Sequence, residues 1–442
     1  MINITVIMNF YNRENELELL RLQEDRMSNS SRMTVIIGRR RIGKTRLIMK
    51  SLNQDRDIYL FAAKKSERLL CEEFVEQVRS KRIPVFGQIT KFKDLFELLL
   101  NTSRQRAFTL VIDEFQEFYS INPAVFSEMQ NLWDQYKDES HLNLILSGSI
   151  YTMMKKIFEN AKEPLFGRAD EKIYLRAFDI STLKNILHDY YPKYTPKDLL
   201  SFYVYSGGVA KYVEIFSEKH ALSYTKMRNE FFKPNSYFLE EGKNMLIEEF
   251  GKEYATYFSI LSLIASSKTS RSEIESVLLK NIGGYLDKLE NEYSLIKKIR
   301  PIMAKPGSRT QKYLIHDNFL NFWFRFVFKY RTAIEIQNFD YLRKIVDRDF
   351  EMYSGRILEK YFIEKLSQEG NYSQIGTYWE KGNLNEIDIV AVDQLHKTVL
   401  FADVKLQKKK IDIELLKHKS QRLLHHFKGY TIEYLGLSME DM

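Results

Sequence analysis

Residues 38–45 read Gly-Arg-Arg-Arg-Ile-Gly-Lys-Thr and directly follow the apolar run Met33-Thr34-Val35-Ile36-Ile37. Every fixed position of the pattern G-x-x-x-x-G-K-[ST] is met, and the chemistry of that pattern is phosphate binding. Gly38 and Gly43 let consecutive backbone N–H groups wrap an anion, with Arg41 and Ile42 between them contributing the same backbone. Lys44 reaches the outer phosphate oxygens, and the Thr45 hydroxyl is a ligand for Mg2+. Arg46 lies in the opening turn of a helix whose N-terminal dipole faces the same anion. The expected cofactors are ATP and Mg2+.

Two further constellations carry carboxylates. Phe108-Thr109-Leu110-Val111-Ile112-Asp113-Glu114 is a buried-strand pattern that ends in two acids. At the carboxyl end of a strand beside the phosphate loop, Asp113 holds Mg2+ through water and Glu114 polarises the attacking water. Leu142-Asn143-Leu144-Ile145-Leu146-Ser147-Gly148-Ser149 is a second such strand. Its end leaves two roles open for Ser147 or Ser149, sensing of the γ-phosphate or capping of a turn. Far downstream, Glu386-Ile387-Asp388-Ile389-Val390-Ala391-Val392 and Val399-Leu400-Phe401-Ala402-Asp403-Val404-Lys405 read as strands. Alternation puts Asp403 and Lys405 on one face, and Asp388 converges from the neighbouring strand. Two carboxylates bind a divalent metal, and the lysine stabilises developing phosphate charge or orients water.

The elements that must position these groups follow from length and periodicity. A chain of 442 residues, 44% hydrophobic and 29% charged, is long enough for about three domains with their own cores. The longest apolar stretch, residues 319–328, is broken by Asn321 and Arg325, which excludes a membrane span, and no secretory pattern opens the chain. The expectation is a cytoplasmic protein with no membrane partner. A single cysteine, Cys71, excludes an internal disulfide framework. The net charge of +8 permits an anionic partner beyond ATP, and Lys405, Lys408, Lys409, Lys410, Lys417, Lys419, Arg422 and Lys428 crowd the end of the chain against only Asp412 and Glu414.

Helical patterns fill residues 178–245, interrupted at Gly207-Gly208. Between 246 and 330 come an apolar-periodic helix, a second helix opened by the capping signal Ser270-Arg271-Ser272-Glu273, and a third around residues 285–290. Two strands then flank the turn Lys305-Pro306-Gly307-Ser308-Arg309, which makes a winged helix with a basic tip. Its third helix carries Asp287, Glu290 and Glu292 beside Lys288, charges that suit a protein contact or an internal interface better than DNA.

Resemblance adds what spacing cannot. Phe10-Tyr11-Asn12-Arg13-Glu14-Asn15-Glu16-Leu17 resembles the F-x-G-R-E-x-E-L element of AAA+ and STAND ATPases, above all the archaeal-type ATPase family. That family's G-x-R-R-x-G-K-T, D-E-F-Q, G-S, P-L-Y-G-R and G-G-x-P-x-Y elements have counterparts in order at residues 38–45, 113–116, 148–149, 164–168 and 207–212. Asn12 replaces a glycine, tolerable because Asn visits the left-handed region, and Ala210 replaces a proline. The resemblance implies that Phe10 and Arg13 line the adenine side. It also implies that Arg168 stabilises charge in cis or across a subunit contact, the alternative for Arg168 being a surface salt bridge.

The C-terminal strands resemble the PD-(D/E)XK nuclease core in the form fused to such ATPases. This implies Asp388, Asp403 and Lys405 as the catalytic set, with Glu359 on the preceding helix as supporting acid. The expected fold is therefore α/β: a P-loop NTPase parallel sheet (1–177), a helical lid (178–245), a winged-helix domain (246–330) and an α/β nuclease-like domain (331–442). The expected function is an ATP-hydrolysing switch or motor acting on DNA. The alternative is a STAND-type signalling ATPase whose nuclease-like domain is an inactive scaffold for a partner protein or a second copy.

Overall fold

A computed structural model of the chain describes residues 9–442 apart from 306, 309, 381 and 383. Pro306 and Arg309 of the expected basic tip, and residues 1–8 of the first expected domain, thus lie outside the described residues. The chain forms two compact units, Phe10–Ala177 and Phe178–Met442, the second including Asn9.

In the first unit, five strands, β1 (Arg32–Ile37), β2 (Ile58–Phe61), β3 (Phe108–Asp113), β4 (Leu142–Gly148) and β5 (Glu171–Tyr174), form one sheet in the order β2-β3-β4-β1-β5. All neighbours are parallel. Every residue of β3 and β4 is buried, as expected of a parallel sheet covered on both faces. Because the strands run the same way, their carboxyl ends gather at one edge. Ile37 pairs with Gly148 and Phe61 with Asp113, so the phosphate loop, the acidic strand end and the end of β4 share that edge. Phe92, Phe96, Phe115 and Phe118 pack beneath it.

The second unit begins with helices Ile180–Tyr190, Pro196–Ser206, Ala210–Glu218, Tyr224–Phe231 and Tyr237–Phe250. Thr195 and Asp198 form a capping box, and the break before Ala210 is made by Gly207 and Gly208 at φ of 56° and 71°. A Cβ on Gly208 would lie 2.3 Å from the carbonyl oxygen of Phe178, so only glycine fits. Helices Tyr254–Ala265 and Arg271–Leu278 follow, the latter opened by the Ser270–Glu273 capping box. The third helix covers the expected segment but is α-helical only in its first half: Gly283–Asp287 passes into a π turn, Lys288–Glu292. An antiparallel hairpin of β6 (Ile296–Ile299) and β7 (Lys312–Ile315) completes the winged-helix order.

Helix Asn318–Phe326 buries Phe319, Phe322, Trp323 and Phe324, and the Trp323 indole donates to Leu239 O at 3.0 Å. The 31-residue helix Phe339–Glu369 then leads to β8 (Gln374–Tyr378), β9 (Ile387–Asp393), β10 (Thr398–Lys405), helix Ile413–Ser420 and β11 (Thr431–Ser438). The sheet order is β11-β10-β9-β8, with β10 and β11 parallel and the rest antiparallel. Ile302, between β6 and β7, donates its N–H to Thr377 O at 2.8 Å and sits in the apolar core beneath this sheet. The winged-helix hairpin therefore covers the β8 edge, a use of the wing that helix and strand counting did not anticipate. Among the described residues no helix is long and apolar enough to cross a membrane.

Candidate functional site

β1 ends at Ile37 and the helix Lys44–Ser51 starts seven residues later, so residues 38–43 form a closed loop between them. Its curvature is local chemistry. Arg41 and Gly43 take φ of 69° and 100°, and a Cβ on Gly38 would lie 3.0 Å from Leu175 O and 3.1 Å from Ile42 Cγ2. The left-handed Arg41 stores about 1–3 kcal/mol of backbone strain that the surrounding packing must hold. Ile42 is buried, whereas Arg41 and Arg46 are exposed. Lys44 donates to Gly38 O at 2.7 Å and Arg39 O at 3.1 Å. Burial lowers the Lys44 amine to about 8 although Glu114 and Asp113 pull the other way, so an arriving phosphate adds counter-charge that favours the ammonium form.

Asp113 is gripped from three sides. Its Oδ2 accepts from Thr45 Oγ1 at 3.1 Å and from the Tyr59 hydroxyl at 2.7 Å, and its Oδ1 accepts from Glu114 N at 3.0 Å. Thr45 and Asp113 thus bring two hard oxygen donors together beside Lys44, a donor set that fits Mg2+. Burial and the Asp113 carboxylate push the Tyr59 phenol upward, keeping it a neutral donor. Tyr59 escaped sequence reasoning because its place beside Asp113 depends on β2 pairing with β3, a contact between strands some fifty residues apart.

Glu114 takes φ of 55°, and its Oε2 accepts from Gln116 Nε2 at 2.5 Å and Ser149 Oγ at 2.6 Å. Of the two hydroxyls expected at the end of β4, Ser149 is gathered with Glu114. Ser147 is enclosed inside the strand, opposite Ile36 of β1, and its hydroxyl makes no hydrogen bond. The strand ends at Gly148, and only beyond it does the chain turn a side chain toward the acid.

The N-terminal element lies differently from the loop residues. Asn12 takes φ of 44°, the conformation in which Asn stands in for glycine. Arg13 is buried and donates to Arg176 O at 2.6 Å and to Glu16 at 3.2 Å. The ammonium of Lys50 sits 4.0 Å from the centre of the Phe10 ring, which places Phe10 at the far end of the phosphate-loop helix. Arg168 is not gathered with Thr45, Asp113 and Glu114: its guanidinium grips Asp134 at 2.8–3.2 Å, the salt bridge that was one of its two readings. An exposed pair of this kind contributes about 0–1 kcal/mol.

In the second unit, Asp388 and Asp403 face each other one step beyond the Ala402–Ile389 pair of β9 and β10. Lys405 donates to Asp388 Oδ2 at 3.0 Å and Asp403 Oδ1 at 2.7 Å, and Val404 N donates to Asp388 Oδ2 at 2.8 Å. Glu359, on the long helix, is pushed up to about 8, first by burial and then by the carboxylates of Asp388 and Glu386. Burial also raises Asp388 despite Lys405. Acids so crowded fit a divalent cation, which would relieve their repulsion. Among the described residues, however, no group of three or more acidic, His or Cys side chains stands arranged around one metal position. Asp388 and Asp403 are bridged by Lys405. Glu386, two residues before Asp388, pairs with Lys312 of β7 at 2.9 Å. Of the C-terminal basic residues, Lys417 and Arg422 pair with Glu414 and Glu380, while Lys408, Lys409 and Lys410 are exposed just after β10.

Comparison with known proteins finds two family matches and several similar proteins. Residues 10–216 match the family described as an ATPase domain predominantly from Archaea, and residues 323–422 match a family of archaeal and bacterial proteins of unknown function. An uncharacterized protein of Methanocaldococcus jannaschii is 29% identical over 405 residues, covering 90% of this chain and 87% of that protein. The Walker-type ATPase of Pyrococcus abyssi shares the fold, with a TM-score of 0.53 at 16% identity over 71% of this chain and 96% of that one. The ORC2 protein of Aeropyrum pernix with ADPNP and ADP aligns with a TM-score of 0.48 at 16% identity over 76% of this chain and 95% of that one.

Proposed function

We propose, from a chain that joins an ATPase domain of the predominantly archaeal family to a C-terminal domain of the second family, that ATP turnover controls a DNA-acting, nuclease-like unit. In the first unit, Lys44 exchanges the Gly38 and Arg39 carbonyls for phosphate oxygens, and the loop N–H groups take the remainder. Thr45 and Asp113 hold Mg2+, which supplies charge neutralisation on the phosphates. Glu114 accepts a hydrogen bond from the attacking water and orients it. A contribution of Arg168 across a subunit contact requires it to leave Asp134.

In the second unit, Asp388 and Asp403 hold a divalent cation that supplies Lewis-acid charge at a phosphodiester, and Lys405 faces the same point. Glu359 supports the site from the long helix. The lysines at 408–410 hold the polyanion alongside. The observation that carries this reading is the convergence of Lys405 on both aspartates across adjacent strands.

One observation favours the second reading, an ATPase whose C-terminal unit is a scaffold for a partner or a second copy. Lys405 already satisfies both aspartates, and among the described residues no group of three or more acidic, His or Cys side chains is arranged to hold a metal. DNA cleavage assayed with Mg2+ or Mn2+, with and without ATP, separates the two. Cleavage lost in Asp388→Ala/Asp403→Ala supports the nuclease, whereas no cleavage by the wild type, or cleavage that survives the double change, sinks it.

A further inference from the structure

We infer that Gln116 is a positioning residue for ATP hydrolysis: its amide, with Ser149, holds one oxygen of Glu114 and leaves the other for water. The inference rests on the reading of Glu114 as the acid that orients the attacking water.

Glu114 sits between β3 and the turn Phe115–Glu117 with φ of 55°, outside the regular backbone that would otherwise hold its side chain. Something else must fix it. Gln116 Nε2 and Ser149 Oγ reach the same oxygen, Oε2, at 2.5 and 2.6 Å. A carboxylate only accepts, so the amide nitrogen must be the end that faces it. Hydrogen bonds to an ionised group are short and strong, and two on one oxygen fix the rotation of the carboxylate and the direction of Oε1.

The fold makes room for this amide. Gln116 is wholly buried, and a Cβ on Gly148 would lie 2.2 Å from Gln116 Oε1 and 2.4 Å from Met154 Sδ. The end of β4 thus goes without a side chain where the glutamine sits. The seat is poor for the amide itself, because Gln116 Oε1 is buried with no hydrogen-bond partner. An apolar residue of the same shape would avoid that cost, so packing does not explain a glutamine here. Ser149 also accepts from Arg40 Nε at 3.4 Å, which ties the clamp to the phosphate loop.

Two measurements on Gln116→Leu in the full chain test this: affinity for a fluorescent ATP analogue and steady-state ATP turnover. Expected are an affinity within about twofold of wild type and turnover lower by roughly ten- to hundredfold. In the Glu114→Gln background the same change should leave turnover where it is, since the acid it positions is gone. Ser149→Ala, measured in the same two backgrounds, carries the test if Gln116→Leu does not fold. Equal losses in both backgrounds, or affinity and turnover falling together, would overturn the clamp. Wild-type turnover in Glu114→Gln itself overturns the role of Glu114, whereas an inactive Glu114→Gln beside a fully active Gln116→Leu overturns the positioning role alone.

Discussion

Asp113 shows how much a single carboxylate depends on its donors. Three hydrogen bonds aim it, one each from Thr45, Tyr59 and the Glu114 backbone, and only Tyr59 lies outside the recognisable motifs. Removing the phenol leaves the ring packing and takes away one donor to a charged group. Tyr59→Phe is therefore expected to weaken nucleotide binding in the presence of Mg2+ by roughly tenfold, the worth of about 1.5 kcal/mol. With EDTA in place of Mg2+ the loss should shrink if the aimed carboxylate acts through the metal. Titration of nucleotide with and without Mg2+ checks this, and an equal loss in both arms would refute it. Motif spacing exposes Thr45, Asp113 and Glu114 because each is adjacent in sequence to a loop or strand end. Tyr59 lacks such a signal, since it acts through strand pairing, whereas Gln116 closes the D-E-F-Q element but owes its seat to the missing side chain of Gly148, which no spacing shows.

At the scale of elements, glycine marks where two helices press closest. Gly242 lies inside helix Tyr237–Phe250, where alanine would ordinarily stabilise by about 1 kcal/mol. Here a Cβ would fall 2.3 Å from Trp323 Cδ2 and 2.7 Å from Cε2. The indole cannot retreat easily, because its Nε1 is held by Leu239 O. Gly242→Ala should thus lower stability by about 1–3 kcal/mol, opposite in sign to helix propensity, and thermal unfolding monitored by circular dichroism reads it. A raised Tm would contradict the packing. The wing follows the same logic of contact over pattern. Helix and strand periodicity predict three helices and a hairpin, and the structure contains them, but periodicity says nothing of what the hairpin touches. Ile302 and Lys312 commit it to the C-terminal sheet, by burial and by the pairs with Thr377 and Glu386.

For the molecule as a whole, charge is the property most open to test. Lys408, Lys409 and Lys410 are exposed beside the end of β10, whereas Lys417 and Arg422 are engaged by acids. If the second unit holds DNA, the triple change of Lys408, Lys409 and Lys410 to Ala should reduce the slope of log affinity against log salt by up to about 3. An unchanged slope would remove these lysines from any phosphate contact. The sequence by itself determined the two chemistries on offer, because a phosphate loop needs only contiguous residues and D-x-K only the two-residue period of a strand. It also determined the parallel-sheet core, since predominantly apolar strands alternating with amphipathic helices are buried on both faces in such a sheet. Tertiary structure alone decided which other groups meet: Ser149 rather than Ser147 at Glu114, Arg168 at Asp134, Tyr59 at Asp113, and the wing against β8. The physical reason is the range of the forces involved. Hydrogen bonds and ion pairs act over about 3–4 Å, and whether distant segments come that close depends on register and packing between elements, which no local pattern encodes.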